Sequence, residues 1–320
     1  PLNQKHMDLA ASIQKVIEII ILKIAKRAFD ITKCNNLCLA GGVALNCVSN
    51  SKILEEKIFK NIWIQPASGD AGGSLGAALH AHYNYLNKKR IIKKIDSMNG
   101  SFLGPKFMNS EIKNTLDKLN IKYKRLNDNE ITNKTVKLII KGKTISWFQG
   151  RMEFGPRSLG HRSILGDPRS KKMQKIMNLK IKYRESFRPF APSVRAENIS
   201  EYFEIDRESP YMLLVANVQK DKRVEMSKKE NSYFGLEKLN VVRSEVPAIT
   251  HVDYSARIQS VNSKTNPRYH QMLTQFYEKY ECPVIVNTSF NVRGEPIVCT
   301  PNDAYLCFMR TELDYLIMGN

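Results

Sequence analysis

The sequence predicts an α/β protein in two parts: a small α/β unit, then a larger domain of alternating helices and strands around a mixed sheet. Three observations carry this. Twice within the first 87 residues a short apolar run ends in a glycine-rich turn and passes into helical periodicity. A charged stretch, "KKRIIKKIDSMNGS", then breaks the pattern. After it, apolar strands again alternate with amphipathic helices to the end of the chain. At 320 residues there is room for about two domains, each able to bury a core without disulfide or metal staples.

In order along the chain, "DLAASIQKVIEIIILKIAKRAF" (8–29) has the apolar spacing of a long helix. "NLCLAGGVALN" reads as a strand, a Gly-Gly turn and the start of a helix running to about Phe59. "NIWIQPASGDAGGSLGAALHAHYNYL" repeats that plan. Residues 1–87 thus form one α/β part, small for a domain that places two such loops round a ligand, and its other half is expected to lie outside this chain. Residues 88–101 are expected to be a linker and 102–320 the second domain. There the spacing predicts helices at 109–119, 127–140 and 266–280, and strands at "IKYKRL" (121–126), "TISWFQG", "YMLLVANV" and "PVIVNTSF". The polar, charged segment 219–244 is expected to be a mobile insertion.

A net charge of +19 and a pI near 9.6 point to anionic partners. Much of the excess is lysine scattered among Asn and Ile, which is a bias of composition rather than a patch. Nucleic acid is not expected, because exposed aromatics interleaved with the cations are missing; Trp147, Phe148, Phe187 and Phe190 lie in apolar runs and are assigned to the core. Cys34, Cys38, Cys47, Cys282, Cys299 and Cys307 form no paired CxxC motifs and mostly sit beside apolar residues, which fits a reducing, cytoplasmic compartment. The most apolar run, "VIEIIILKIA", is too short and too charged to span a bilayer, so no membrane partner is expected.

Chemistry concentrates in a few places. "WFQGRMEFGPRSLGHRSIL" (147–165) brings Arg151, Arg157 and Arg162 onto a glycine-rich turn after an apolar run, either as a solvated basic loop or as an anion cradle. "LKIKYRESFRPFAPSV" supplies Lys182, Arg184, Glu185 and Arg188; "HVDYSARIQSV" supplies His251, Asp253, Ser255 and Arg257. "VNTSFNVRGEPIV" supplies Asn287, Thr288, Ser289, Asn291, Arg293 and Glu295 just past a strand. Arginine offers a planar fork to oxyanions and lysine a point charge. Several such clusters at strand ends suggest one pocket for a highly charged anion such as a nucleoside triphosphate. Glu153 and Glu185 read first as structural ion pairs, and His161 and His251 serve equally as turn or catalytic residues. His80 and His82 read as surface or packing residues. In the first part, Gly41 and Gly42 allow close backbone approach to a ligand at a helix start. Asp70, beside Gly69, Gly72 and Gly73, is either a helix N-cap or a partner for a metal or a ribose hydroxyl.

Taken together, "LAGGVALNCVSN", "SGDAGGSLGAAL", "WFQGRMEFGPRSLGHRSIL", "KYRESFRPFAPSV", "ARIQSV" and "NTSFNVRGEPIV" resemble the NodU-type O-carbamoyltransferase family over nearly the whole chain. The resemblance implies a partial actin/sugar-kinase-like subdomain followed by a YrdC-like domain with a twisted mixed sheet. It implies that the second domain makes carbamoyl-adenylate from carbamoyl phosphate and MgATP, and that the first passes the carbamoyl group to a hydroxyl of a small molecule such as a sugar or an antibiotic. By position, Arg157, Lys182, Arg188 and Arg257 would be the catalytic cations. Arg151, Ser158, Arg184, Asn287, Ser289, Asn291 and Arg293 would bind substrate and nucleotide, with Gly41, Gly42 and Asn46 on the nucleotide side of the transfer module. Asp70 falls on the family's metal-ligand position, with iron as the expected metal of a complete transfer module. The family's paired metal-binding histidines and first phosphate loop have no counterpart here, so the chain is expected to be a C-terminal portion. A homodimer is compatible with the family. A tRNA threonylcarbamoyl-type modification protein and a non-enzymatic nucleotide-binding module are the alternatives.

Overall fold

Asn3 opens the first helix. Its side chain accepts the His6 N–H while His6 accepts the Asn3 N–H, so two backbone donors are satisfied reciprocally. The structure, a computed structural model, describes residues 3–92, 96–233 and 235–320. It divides into two compact units, Pro1–Ile91 with Leu213–Val215, and Ile92–Met212 with Ala216–Asn320. Of the stretch expected as a linker, residues 93–95 lie outside the described residues.

In the first unit, α1 (Gln4–Thr32) ends where Lys33 turns left-handed and donates to Phe29 O at 2.7 Å. Strands β1 (Asn36–Leu39) and β2 (Asn61–Ile64) pair in parallel, Cys38 opposite Trp63, and α2 (Cys47–Glu55) connects them. A parallel pair needs such a crossover. Ala25, Ile53 and Phe59 form the core with Ile21, Leu22 and Phe29 packed against it. After β2 comes α3 (Ala71–His80), which passes into a π-helical turn at Ala81–Tyr85. Cys38 on β1 and Cys34 just before it are exposed.

The second unit begins with α4 (Asn109–Lys118) and α5 (Asp128–Ile140). Then follow β3 (Ile145–Phe148), β4 (Arg162–Gly166), the short α6 (Met173–Ile176), β5 (Ala191–Arg195) and α7 (Ile199–Tyr202). After them come β6 (Leu214–Asn217), whose first two residues group with the first unit, α8 (Lys228–Asn231), β7 (Ser255–Val261), α9 (Pro267–Tyr280), β8 (Val284–Ser289), α10 (Pro301–Met309) and β9 (Tyr315–Met318). Seven strands form one mixed sheet in the order β6-β7-β5-β8-β4-β3-β9. Antiparallel β3–β4, β4–β8 and β5–β8 pairs are joined by parallel β5–β7 and β3–β9 pairs. The central strands are buried on both faces, hence their near-continuous apolar runs. Trp147, Phe148 and Phe190 are buried as expected, whereas Phe187 is half-exposed.

One expectation is overturned and a second is narrowed. Residues 121–126 belong to no strand: only Ile121 and Leu126 are partly buried, and the backbone between them pairs with no strand among the described residues. The segment 219–244 is not wholly a surface insertion. Its end packs, with Arg243 2% exposed and donating to the carbonyls of Val241, Thr250 and His251. Phe234 lies outside the described residues.

Gly160 shows how tightly the sheet holds the loop before it. Its φ is +105°, and a Cβ there would collide with the fully buried ring of Tyr269. Gly160→Ala is expected to lower stability by about 2 kcal/mol or more through backbone strain and overpacking. A urea melt would show this as a lower midpoint; an unchanged midpoint would mean that the ring yields.

Candidate active site

The glycine-rich stretch forms the β3–β4 loop, and one carboxylate organises it. Glu153, 5% exposed, accepts on Oε1 the backbone N–H groups of Leu159 at 2.6 Å, His161 at 2.9 Å and Arg162 at 3.3 Å. The loop carbonyls are held from the other side. Ser158 O accepts from Asn287 Nδ2 at 3.1 Å, Leu159 O from Gln259 Nε2 at 2.7 Å, and Gly160 O from Trp147 Nε1 at 2.9 Å. Glu153 is therefore structural, as the sequence suggested, but through backbone amides rather than through an ion pair.

Arg162 does not join a cradle. It is fully buried, stacks over Phe148 with its guanidinium carbon 3.6 Å from the ring centre, and donates to Gln149 O at 2.6 Å and His161 O at 3.1 Å. Burial pushes its pKa down to about 10. Arg151 is exposed and donates to Gly104 O at 3.0 Å. The His161 ring stacks on Phe102 at 3.8 Å and its Nδ1 meets Arg151 O at 2.6 Å; burial lowers its pKa. These ring contacts are structural. Arg157 remains on the loop, half-buried.

On one face of the sheet, residues from three strands converge beside this loop. Asn287 Nδ2 also donates to Ser193 Oγ at 3.0 Å and to Gln259 Oε1 at 2.8 Å. Side chains two residues apart on a strand share a face. Arg257 therefore lies on the side of Gln259, and Ser289 on the side of Asn287. Ser158 Oγ and Asn287 Oδ1 are buried without a partner among the described residues. Asn287, the loop and Gln259 form a network that sequence spacing could not reveal, because its members are far apart in the chain.

At the end of β8 lies Lys182, 3% exposed. Its Nζ donates to Ser289 O, to Ser289 Oγ at 3.3 Å, and to Asn291 O and Oδ1, each at 2.8 Å. Ser289 Oγ donates to Asn291 Oδ1 at 2.7 Å, and Asn291 Nδ2 to Glu295 O at 2.7 Å. Burial, with the Arg184 guanidinium nearby, pushes the Lys182 ammonium down to about 7. Arg184 is itself engaged with Asn178 Oδ1 at 2.7 Å and with the Phe190 ring. Glu185 sits between Arg188 at 3.1 Å and Arg293 at 3.3 Å, and its backbone amide and these two arginines hold its pKa low. Arg188 and Arg293 are the exposed cations of this group. His251 is pushed down by burial, and Asp253 is engaged with Ser255, whose N–H and hydroxyl it accepts at 3.0 and 2.7 Å.

In the first unit, Gly41 has a φ of +95°, which demands glycine, and the space where side chains of Gly41 and Gly42 would stand is open. Asn46 caps α2, accepting from Ser49 N at 3.1 Å, and donates to Gln14 at 2.9 Å. Asp70 precedes α3 but makes no side-chain cap, so its capping role is overturned. Nor do the residues present fit a metal: among the described residues no group of three or more His, Cys, Asp and Glu could hold one. His80 and His82 are exposed, and His80 meets Asn84 at 2.8 Å.

Two outcomes follow from these geometries. Glu153→Ala leaves three backbone N–H groups unpaired and is expected to cost about 3 kcal/mol or more in a denaturant melt, with Glu153→Gln recovering part of it. A neutral cost would remove Glu153 from the loop's support. Lys182 binds its proton more weakly when folded than at its ordinary 10.5. The unfolded chain therefore holds more protons between about 7 and 10.5, and stability should rise with pH across that window. Lys182→Met should flatten that rise in melts taken along a pH series; an unaltered slope would assign it to other groups.

Residues 136–320 match the sequence profile of the carbamoyltransferase C-terminus, and residues 2–79 that of the carbamoyltransferase N-terminus. An uncharacterized protein of Synechocystis is 57% identical over 322 residues, covering 100% of this chain and 52% of that protein. Nodulation protein NolO of Bradyrhizobium diazoefficiens is 38% identical over 325 residues, covering 100% and 55%. A 3'-hydroxymethylcephem-O-carbamoyltransferase of Amycolatopsis lactamdurans is 28% identical over 284 residues, covering 89% and 48%. The chain spans about half the length of these curated relatives. With more than half of its residues matched by the C-terminal profile, and strings from "LAGGVALN" to "NTSFNVRGEPIV" in place, the chain belongs to the carbamoyltransferase family, in its NodU-type branch.

Proposed function

We propose that this chain forms carbamoyl-adenylate from carbamoyl phosphate and MgATP in its second, YrdC-like unit, as part of an ATP-dependent O-carbamoyltransferase. The observation that carries the reading is that Arg257, Asn287 and Ser289 share one sheet face, where the loop residue Ser158 meets Asn287 through its carbonyl, beside a turn braced by Lys182 and flanked by Arg188 and Arg293. The exposed arginines suit phosphate oxygens, for which a guanidinium is a fixed fork of donors. Carbamoyl phosphate would first lose inorganic phosphate to leave carbamate, and Arg157, Arg188 and Arg257 would then offset the charge that develops as a carbamate oxygen attacks the α-phosphorus and pyrophosphate leaves. The unpartnered Ser158 hydroxyl and Asn287 Oδ1 provide one donor and further acceptors to orient a carbamoyl group. Lys182 would act chiefly by holding the Ser289–Asn291 turn, since all its hydrogen-bond partners lie in that turn. The first unit would serve the transfer step, in which an acceptor hydroxyl attacks the carbamoyl carbon and AMP leaves. A relative named for a hydroxymethylcephem supports a small-molecule alcohol as acceptor. No step is assigned to a metal at Asp70.

Phosphorus NMR of the chain with MgATP and carbamoyl phosphate tests the proposal. Pyrophosphate that requires carbamoyl phosphate is the expected result; pyrophosphate with threonine and bicarbonate instead would favour a tRNA-modifying relative. Arg188→Ala is expected to slow formation by about 10²–10³ if its role is charge stabilisation. Unchanged turnover in the folded variant would take Arg188 out of the site.

A further inference from the structure

A cavity of about 670 Å³ opens at the far edge of the seven-stranded sheet, lined by α4, the segment 121–126, α5, α10 and β9. β9 stands three strands from β8, roughly 14 Å at the usual strand spacing, and none of the lining residues belongs to the site described above. Among the described residues β9 is paired on one side only. Tyr315 N donates to Thr144 O at 3.3 Å and Gly319 N to Phe148 O at 3.1 Å. Leu316 and Met318 therefore turn their N–H groups away from β3, since alternate residues of a strand point their amides to opposite sides. The segment 121–126, which has a strand-like composition, lines the cavity without pairing to that edge.

The lining has two chemical regions. Ile112, Leu116, Ile131 and Leu138 on the helices, with Phe308 and Met318, make an apolar interior. Lys122, Lys124, Arg125 and Lys134 are exposed at its border, and among the described residues none of them is in an ion pair. Lys113 is already paired with Asp117. The one carboxylate of the lining, Asp314, is committed to Lys143 at 2.8 Å and to the Thr144 hydroxyl at 2.9 Å. An apolar cavity of this size beside uncompensated cations lacks a counter-charge of its own.

We propose that this cavity is a binding site for a small amphiphilic anion, with an alkyl or aromatic body and one carboxylate, sulfonate or phosphate head. The body fills the interior, where burial of apolar surface is favourable, and the head meets Lys122, Lys124 and Arg125. A peptide strand fits less well, because β9 turns only two amides outward, whereas an amphiphile uses both the apolar and the cationic regions. The ligand is a free molecule rather than a membrane lipid, since the apolar lining residues are buried or part-buried and offer no exposed apolar face to a bilayer.

Fluorescence titration of the full chain with anilinonaphthalene sulfonate, followed by displacement, provides the test. The expected result is saturable binding at one site, displaced by dodecanoate and by dodecyl phosphate but not by inorganic phosphate. Lys122→Glu with Lys124→Glu should weaken binding about tenfold or more, consistent with loss of charged hydrogen bonds. Met318→Trp, which fills the cavity, should abolish it. The charge variants alter exposed side chains, and an unchanged thermal melt would separate loss of binding from loss of fold. Unsaturable binding, binding indifferent to both sets of variants, or displacement by inorganic phosphate alone would overturn the proposal. So would co-sedimentation with phosphatidylglycerol vesicles in place of binding the free amphiphile.

Discussion

Three backbone amides of the β3–β4 loop point at one oxygen of Glu153. A loop rich in glycine loses much conformational entropy when it is ordered, and its polar backbone cannot be left unpaired when buried. Glu153 meets both demands by gathering the N–H groups of Leu159, His161 and Arg162, while Asn287, Gln259 and Trp147 engage the carbonyls on the other side. The loop thus becomes part of the sheet's core rather than a flap above it. Arg157 and Ser158 are presented from a rigid support, which is what charge stabilisation of a transition state requires.

The second support is Lys182. A buried ammonium is costly unless oxygens surround it, and here the oxygens come from one turn. The cation that sequence resemblance assigns to phosphate braces Ser289 and Asn291, and Arg188 and Arg293 near that turn are exposed. Glu185 lies between those two arginines, relieving their mutual repulsion while leaving both exposed.

Much of the fold was legible in the sequence. The long first helix, both strand–turn–helix repeats, and the helices at 109–118, 128–140 and 267–280 follow from apolar period, because each has one face to bury. Strand β4 was hidden within a motif whose charges drew the eye, since Arg162 looks like a surface residue until Phe148 and the loop carbonyls enclose it. The segment 121–126 misled in the opposite direction: alternation shows that a segment suits a strand, not that a partner edge comes within hydrogen-bonding distance.

By itself, the sequence determined the two-part α/β plan, the places where cations cluster, and the carbamoyltransferase family to which the chain belongs. Local periodicity, glycine placement and motif spacing are properties of neighbouring residues, so they survive without a fold. Only the tertiary structure decided which charges bind backbone and which face outward. It turned Glu153, Lys182 and Arg162 inward, left Arg188 and Arg293 exposed, and set Asp70 on a helix start without companions, among the described residues, able to hold a metal. Burial and hydrogen bonding between residues more than a hundred positions apart, such as Lys182 with Ser289 or Asn287 with Ser158, depend on the register of the sheet, and no local pattern encodes that register.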